Sequence, residues 1–151
     1  MKNTISIGNS GEYFVAAELE RRGFTAALPM SNAKDFDVLA ISRETARKVA
    51  IQVKTEQGAS GEWILSKKCE QIKDKDVYFV FVSLNGKAFP SYYIVESSLV
   101  ADNVRDGYAK WIKEGEHKET TMRKFTFKTA PYDNIHGLKA EEFKDKWDKL
   151  K

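Results

Sequence analysis

The chain has 151 residues, of which 42% are hydrophobic and 31% are charged, and its formal net charge is +3 at pH 7. These values are typical of a soluble globular protein with one sizeable core, and they argue against a disordered or membrane-embedded chain. There is no apolar run of membrane-spanning length and no signal-peptide segment at the start. We therefore expect a single domain over residues 1–151, a cytoplasmic location and no membrane partner.

Few residues suit a zinc site or a disulfide. Cys69 is the one cysteine, which excludes an internal disulfide and a cysteine-based zinc site, and His117 and His136 have no partners at ligand spacing. The mildly basic charge permits a nucleic-acid partner without requiring one, since runs of lysine are also common on ordinary solvated surfaces.

The predicted elements begin with a helix over about residues 10–22, which Asn9 or Ser10 could cap and Gly23 could end. A short strand at 24–29 and a polar loop follow. A second helix is expected from Ser97 or Ser98 to about Gly115, and a third over 140–150. The remaining strands, rich in β-branched and aromatic residues, are expected at 36–42, 48–55, 63–65, 77–84, 92–95 and 123–128. This order predicts an α/β or α+β fold with a mixed central sheet flanked by helices.

The strands at 36–42 and 48–55 are separated by a short charged connection, which predicts a hairpin. If it turns symmetrically about Glu44 and Thr45, Asp37 faces Gln52, and Lys54 lies diagonal to Asp37 on the same face. A slip of one residue would separate them. In the predicted register, one face carries a carboxylate, an amide oxygen and an ammonium together.

This combination suits metal-assisted hydrolysis. Carboxylate and amide oxygens are hard ligands of the kind that Mg²⁺ prefers, and a nearby lysine can orient a water or balance charge on a phosphate. Glu12 could add a second carboxylate from the first turn of the opening helix, although a capping role three residues after Asn9 explains it equally well. The Gln52-x-Lys54 pair alone is also compatible with an ordinary edge strand. The three tryptophans, Trp63, Trp111 and Trp147, could stack on bases but are more typical of core residues.

Taken together, GEYFVAAELERRGF, DFDVLA and IQVKT resemble the PD-(D/E)XK nuclease superfamily over roughly residues 8–55. The resemblance implies a restriction-endonuclease-like core, with Glu12, Asp37, Gln52 and Lys54 as catalytic residues. It also implies a metal site formed by Asp37, Gln52 and the backbone carbonyl of Val53. Gln52 departs from the usual acidic residue, and this Gln-x-Lys variant is most similar to a small homing endonuclease or Holliday junction resolvase-like branch.

The resemblance further implies Mg²⁺-dependent hydrolysis of double-stranded DNA, with Mn²⁺ as a possible substitute. Cutting both strands would require a homo-oligomer, a dimer or tetramer. In the loop before Asp37, three polar residues are candidates for phosphate contacts, although an ordinary polar loop explains them equally well: Ser31, Asn32 and Lys34. The alternatives are a Holliday junction resolvase-type nuclease, a DNA-binding module without cleavage, and a small interaction protein.

Overall fold

The computed structural model describes residues 3–30 and 35–151. The protein is a mixed α+β fold, as the sequence predicts. Its elements in chain order are α1 (Thr4–Arg21), β1 (Phe24–Ala27), β2 (Val38–Ser42), β3 (Lys48–Glu56), β4 (Glu62–Ser66), β5 (Val77–Ser83), β6 (Ser91–Glu96), α2 (Ser97–Glu114) and β7 (Met122–Thr126). Short 3-10 turns occupy Lys67–Gln71, Ala140–Glu142 and Trp147–Leu150. In the described ranges, neither α-helix is apolar enough over its length to cross a membrane.

The central sheet has five strands in the order β1-β2-β3-β5-β6. β3 and β5 run parallel and the other neighbours are antiparallel. Because β3 and β5 are parallel, their carboxyl ends lie at one end of the sheet. The start of β2 and the end of β1 lie there too, since β2 runs antiparallel to both neighbours. We call this end, with the loops that leave it, the loop end of the sheet.

The two faces of the sheet are covered differently. α1 packs on one face through Val15 and Leu19, over a core that includes Ile51 and Val80. The other face is covered by α2, the turn at 67–71 and a two-stranded sheet of β4 and β7. There Phe81 and Phe125 stack with ring centroids 4.2 Å apart. Burying both faces accounts for the nearly continuous apolar sequence of β5.

One predicted helix has a different start, and another does not form. α1 begins at Thr4 rather than near residue 10, because Asn3 caps it by accepting a hydrogen bond from the Ser6 amide. The segment 140–150 forms two 3-10 turns instead of a helix, and Asp145 between them has a positive φ of 56°. Trp63 and Trp147 are buried, which agrees with their interpretation as core residues, whereas Trp111 is half-buried.

Candidate active site

The hairpin of β2 and β3 has the predicted register. Val38 pairs with Ile51 and Ile41 pairs with Lys48, so the hairpin is symmetric about Glu44 and Thr45 as far as Val38. The amide of Asp37 donates to the carbonyl of Ile51 at 2.8 Å, although Ile51 is the ladder partner of Val38. Regular pairing therefore breaks at Asp37, and β3 continues beyond it without β2 as a neighbour.

The Asp37 carboxylate lies in this opening. Its Oδ2 accepts a hydrogen bond from the Val53 amide at 2.8 Å, in place of the backbone partner that β2 no longer supplies. The N–H and C=O of one strand residue point to the same side of the strand, so the Val53 carbonyl faces the same opening. A carboxylate and a backbone carbonyl thus lie side by side where the strands separate.

Gln52 is held by the segment that leads into β2. Its Nε2 donates to the backbone carbonyl of Asp35 at 2.7 Å. Its Oε1 accepts no hydrogen bond from any residue in the ranges 3–30 and 35–151. Within the described residues, the amide nitrogen is therefore engaged and the amide oxygen has no donor.

Lys54 shares the face of Gln52. On the other side of β3, Gln52 pairs with Phe79 and Lys54 with Phe81, so both point away from α1, whereas Thr55 points towards it. Lys54 is half-buried and forms no ion pair in the described part of the chain. An ammonium with this freedom can approach an incoming phosphate or water.

Glu12 reaches the same region from α1. The helix can approach β3 closely because Gly11, which precedes Glu12, is buried against Thr55. Partial burial and the charge of Asp37 raise the pKa of Glu12 above its usual value, while the charge of Lys54 acts in the opposite direction. The three charged side chains therefore share one electrostatic environment at the loop end of the sheet. A raised carboxyl pKa beside another carboxylate is typical of functional sites.

The remaining predictions for this region concern the position of Glu12, the polar loop and the metal ligands. Glu12 lies in the middle of α1 rather than in its first turn, so capping after Asn9 does not explain it. Ser31, Asn32 and Lys34 lie outside the described residues. Within the described residues, no group of three or more His, Cys, Asp or Glu side chains could hold a metal ion. Any metal would therefore depend on Asp37, Glu12, amide and carbonyl oxygens, and water.

A cleft of about 340 Å³ lies elsewhere, between α2 and β7. Its wall includes Arg123, which is buried, paired with Glu70 and bonded to the carbonyls of Thr120 and Met122. The guanidinium also lies 3.4 Å from the centre of the Tyr108 ring. These contacts satisfy the charge within the protein, so Arg123 serves the packing of this region rather than chemistry.

The geometry shows two contributors that the sequence analysis did not identify. One is the close approach at Gly11 and Thr55, and the other is the Asp35 carbonyl that orients Gln52. A glycine inside a helical segment is a signal for close approach of another backbone or side chain. The carbonyl has no signal in the sequence, because every residue carries one.

No protein-family model matches the chain, and no curated protein matches it in sequence. Solved structures do match. A Holliday junction resolvase from Archaeoglobus fulgidus is 16% identical, with a TM-score of 0.50, and the match covers 89% of this chain and 93% of the resolvase. A bacterial homing endonuclease is 11% identical, with a TM-score of 0.55, and the match covers 98% of this chain and 91% of the endonuclease. The chain therefore has the fold of these two proteins, a mixed sheet of five strands flanked by helices.

Proposed function

We propose that the protein is a metal-dependent endonuclease that hydrolyses phosphodiester bonds in double-stranded DNA. The observation that carries the proposal is the Asp37 carboxylate, bonded to the Val53 amide where β2 and β3 separate, with Glu12 near enough for the charges of Asp37 and Lys54 to act on its pKa. The fold supports it, because two solved structures with this fold are named as a Holliday junction resolvase and a homing endonuclease.

The donor atoms fit Mg²⁺, with Mn²⁺ as a substitute. Asp37, the Val53 carbonyl and the Oε1 of Gln52 can all supply oxygen ligands, and Mg²⁺ commonly takes few protein ligands and keeps several waters. When bound, the ion would lower the pKa of a coordinated water and offset phosphate charge.

The side chains would then divide the remaining work. Lys54 would orient the attacking water through its Nζ and stabilise charge on the phosphate. Glu12 would hold the hydration shell of the ion through its carboxylate. In this proposal the motif is a Gln-x-Lys variant of PD-(D/E)XK. Each chain has one such site, so we further propose a homo-oligomer that cuts the two strands of a duplex.

The test is cleavage of plasmid and branched DNA in Mg²⁺, Mn²⁺ or EDTA. Asp37→Asn keeps an acceptor for the Val53 amide and removes the charge, so we expect loss of cleavage with the fold retained in circular dichroism. Lys54→Ala should also abolish cleavage. Lys48→Ala is the matched control, since Lys48 lies on the same strand and face, about 20 Å away at the rise of a β-strand. Metal-dependent cleavage that survives both Asp37→Asn and Lys54→Ala would refute the proposed site.

A DNA-binding module without cleavage is the second candidate. It is favoured by Gln52, which leaves the site with one carboxylate fewer than the motif usually has, and by the lack of three clustered metal-type side chains in the described residues. Salt-dependent DNA binding that needs no divalent ion, with no cleavage of either substrate, would support this candidate.

A further inference from the structure

The loop end of the sheet carries two unusually exposed apolar side chains. Among residues 3–30 and 35–151, the two most exposed large apolar side chains are those of Met30, at 96%, and Phe89, at 95%. Met30 follows β1 and Phe89 lies between β5 and β6, so both project from the end of the sheet that holds Asp37 and Lys54. The candidate site lies between them in the strand order.

Hydrogen bonds fix the loop that carries Phe89. Asn85 adopts a positive φ of 53°, and its Nδ2 donates to the Phe89 carbonyl at 2.8 Å and to the Ser91 hydroxyl at 3.1 Å. The Ala88 amide donates to the Asn85 carbonyl at 3.2 Å. The loop therefore holds Phe89 in position without burying its ring.

The same loop is tied to the strand that carries Lys54. The amides of Leu84, Asn85 and Gly86 donate to the carbonyls of Glu56, Gly58 and Gln57, respectively. Ser83, where the loop begins, lies two residues along and one strand across from Lys54, which is about 8 Å between Cα atoms. The loop that carries Phe89 is thus anchored to the end of the strand that carries Lys54.

Resting on the proposed function, we propose that Phe89 stacks on a nucleobase of the bound DNA. A phenyl ring held in water gains little from its own protein, but a base offers a flat apolar face. The exposed Lys87, two residues earlier in the same loop, adds a positive charge that suits a DNA phosphate.

The energetics of stacking select the kind of DNA. Stacking of one base on an aromatic side chain strengthens binding by about 5- to 150-fold. Opening a paired base step costs a comparable factor, so the gain is largely cancelled on a perfect duplex. Phe89 therefore favours DNA that already has unpaired or unstacked bases, such as a branch point.

The test uses the full chain and two DNAs, a perfect duplex and the same duplex with two unpaired bases. Affinity is measured by fluorescence anisotropy in Ca²⁺ for Phe89→Ala, Phe89→Leu and Phe89→Trp. We expect Phe89→Ala and Phe89→Leu to weaken binding to the unpaired-base DNA by about fivefold or more, and to the perfect duplex by less than about twofold. Phe89→Trp should keep the preference, and its added fluorescence should be quenched by the unpaired-base DNA. Met122→Ala is the control, because Met122 is 57% exposed at the opposite end, opposite Ser66.

The outcomes separate this proposal from the proposed function. If wild type cleaves DNA and Phe89→Ala retains its full preference for unpaired bases, the stacking proposal is wrong and the nuclease stands. Equal binding by Phe89→Leu and Phe89→Trp also overturns it, since leucine is apolar but cannot stack. If wild type binds the unpaired-base DNA through Phe89 without any cleavage, the stacking proposal stands and the nuclease fails. If wild type binds neither DNA, both proposals fail.

Discussion

Replacing Gly11 with alanine tests how closely α1 must approach the sheet. A Cβ at Gly11 would lie 1.9 Å from Oγ1 and 2.9 Å from Cβ of Thr55. The closest pair would have to separate by about 1.5 Å to reach 3.4 Å, where ordinary contact begins. The contacting atoms are Oγ1, Cβ and Cγ2 of Thr55, which lie close to the backbone of β3, so α1 itself would have to move.

Two opposing effects determine the size of the change. Alanine in place of glycine stabilises a helix by about 1 kcal/mol, whereas overpacking a tight contact costs about 1–3 kcal/mol. We therefore expect Gly11→Ala to lower the free energy of unfolding by about 1 kcal/mol, or the Tm by about 2–4 °C. Glu12 moves with its neighbour, and a displacement of about 1 Å in a catalytic group can reduce the rate about 100-fold. Gly11→Ala should therefore reduce the cleavage rate strongly while it lowers the Tm only slightly.

The chain offers a matched control in the same helix. A Cβ at Gly8 meets nothing within 4 Å, so Gly8→Ala should raise the Tm and leave cleavage unchanged. Thermal unfolding by circular dichroism and plasmid cleavage measure both effects. Thr55→Ala removes the closest contacting atom, so it should partly rescue Gly11→Ala in a double-mutant cycle. If Gly11→Ala raises the Tm as Gly8→Ala does, the close approach of α1 is not real.

Three further predictions concern carboxyl groups. Gln52→Glu loses the hydrogen bond to the Asp35 carbonyl, so the Tm of this variant without metal should be lower than that of wild type. Added Mg²⁺ should raise the Tm of the variant more than it raises the Tm of wild type. A variant Tm that does not respond to Mg²⁺ would argue against a metal at this position. The pKa of Glu12 is raised in the folded protein, so the protein loses stability as the pH rises from 4.5 through that raised pKa. Without metal, Glu12→Gln should therefore have a higher Tm than wild type at pH 8 and the same Tm at pH 4. Equal Tm values at pH 8 would contradict this. Burial raises the pKa of Glu56, but hydrogen bonds from Ser60, Ser83 and Gly61 outweigh burial and lower that pKa below its usual value. The Glu56 carboxylate therefore stabilises the fold above pH 4.5, and this stabilisation is lost as the pH falls through the lowered pKa. Glu56→Gln should therefore lower the Tm at pH 7, and the difference from wild type should vanish in acid; a difference that persists in acid would show that shape rather than charge matters.

The register of the β2–β3 hairpin could be predicted because two constraints agree. The apolar residues of β3 must face the core, which determines which face of the sheet each β3 residue occupies. The short turn then determines which residues of β2 and β3 pair. These constraints place Gln52 and Lys54 on one face of β3. The break in pairing at Asp37 could not be predicted, because it depends on the carboxylate replacing a backbone acceptor for Val53.

α1 starts six residues before the predicted start and includes Gly8, because Asn3 rather than Asn9 or Ser10 caps it. Each glycine costs a helix about 1 kcal/mol relative to alanine, but Gly11 is needed for contact with Thr55 and tertiary packing offsets the cost. In the segment 140–150, the spacing of Phe143, Trp147 and Leu150 is compatible with the predicted helix. All three are buried as expected, but the backbone uses its polar groups to bond with β6 instead.

That bonding has a consequence for assembly. The Ile94 amide donates to the Phe143 carbonyl and the Asp145 amide to the Tyr92 carbonyl, so the segment that failed to form a helix covers the outer edge of β6. At the opposite edge, the Ala26 amide of β1 donates to the Glu20 carboxylate at 2.8 Å. Exposed strand edges favour pairing with another chain. Here the β6 edge bonds to the segment 143–145, and the β1 edge bonds to the Glu20 side chain. Any association between copies of this protein should therefore involve helices and loops rather than an extended sheet, and the same bonds disfavour edge-to-edge aggregation.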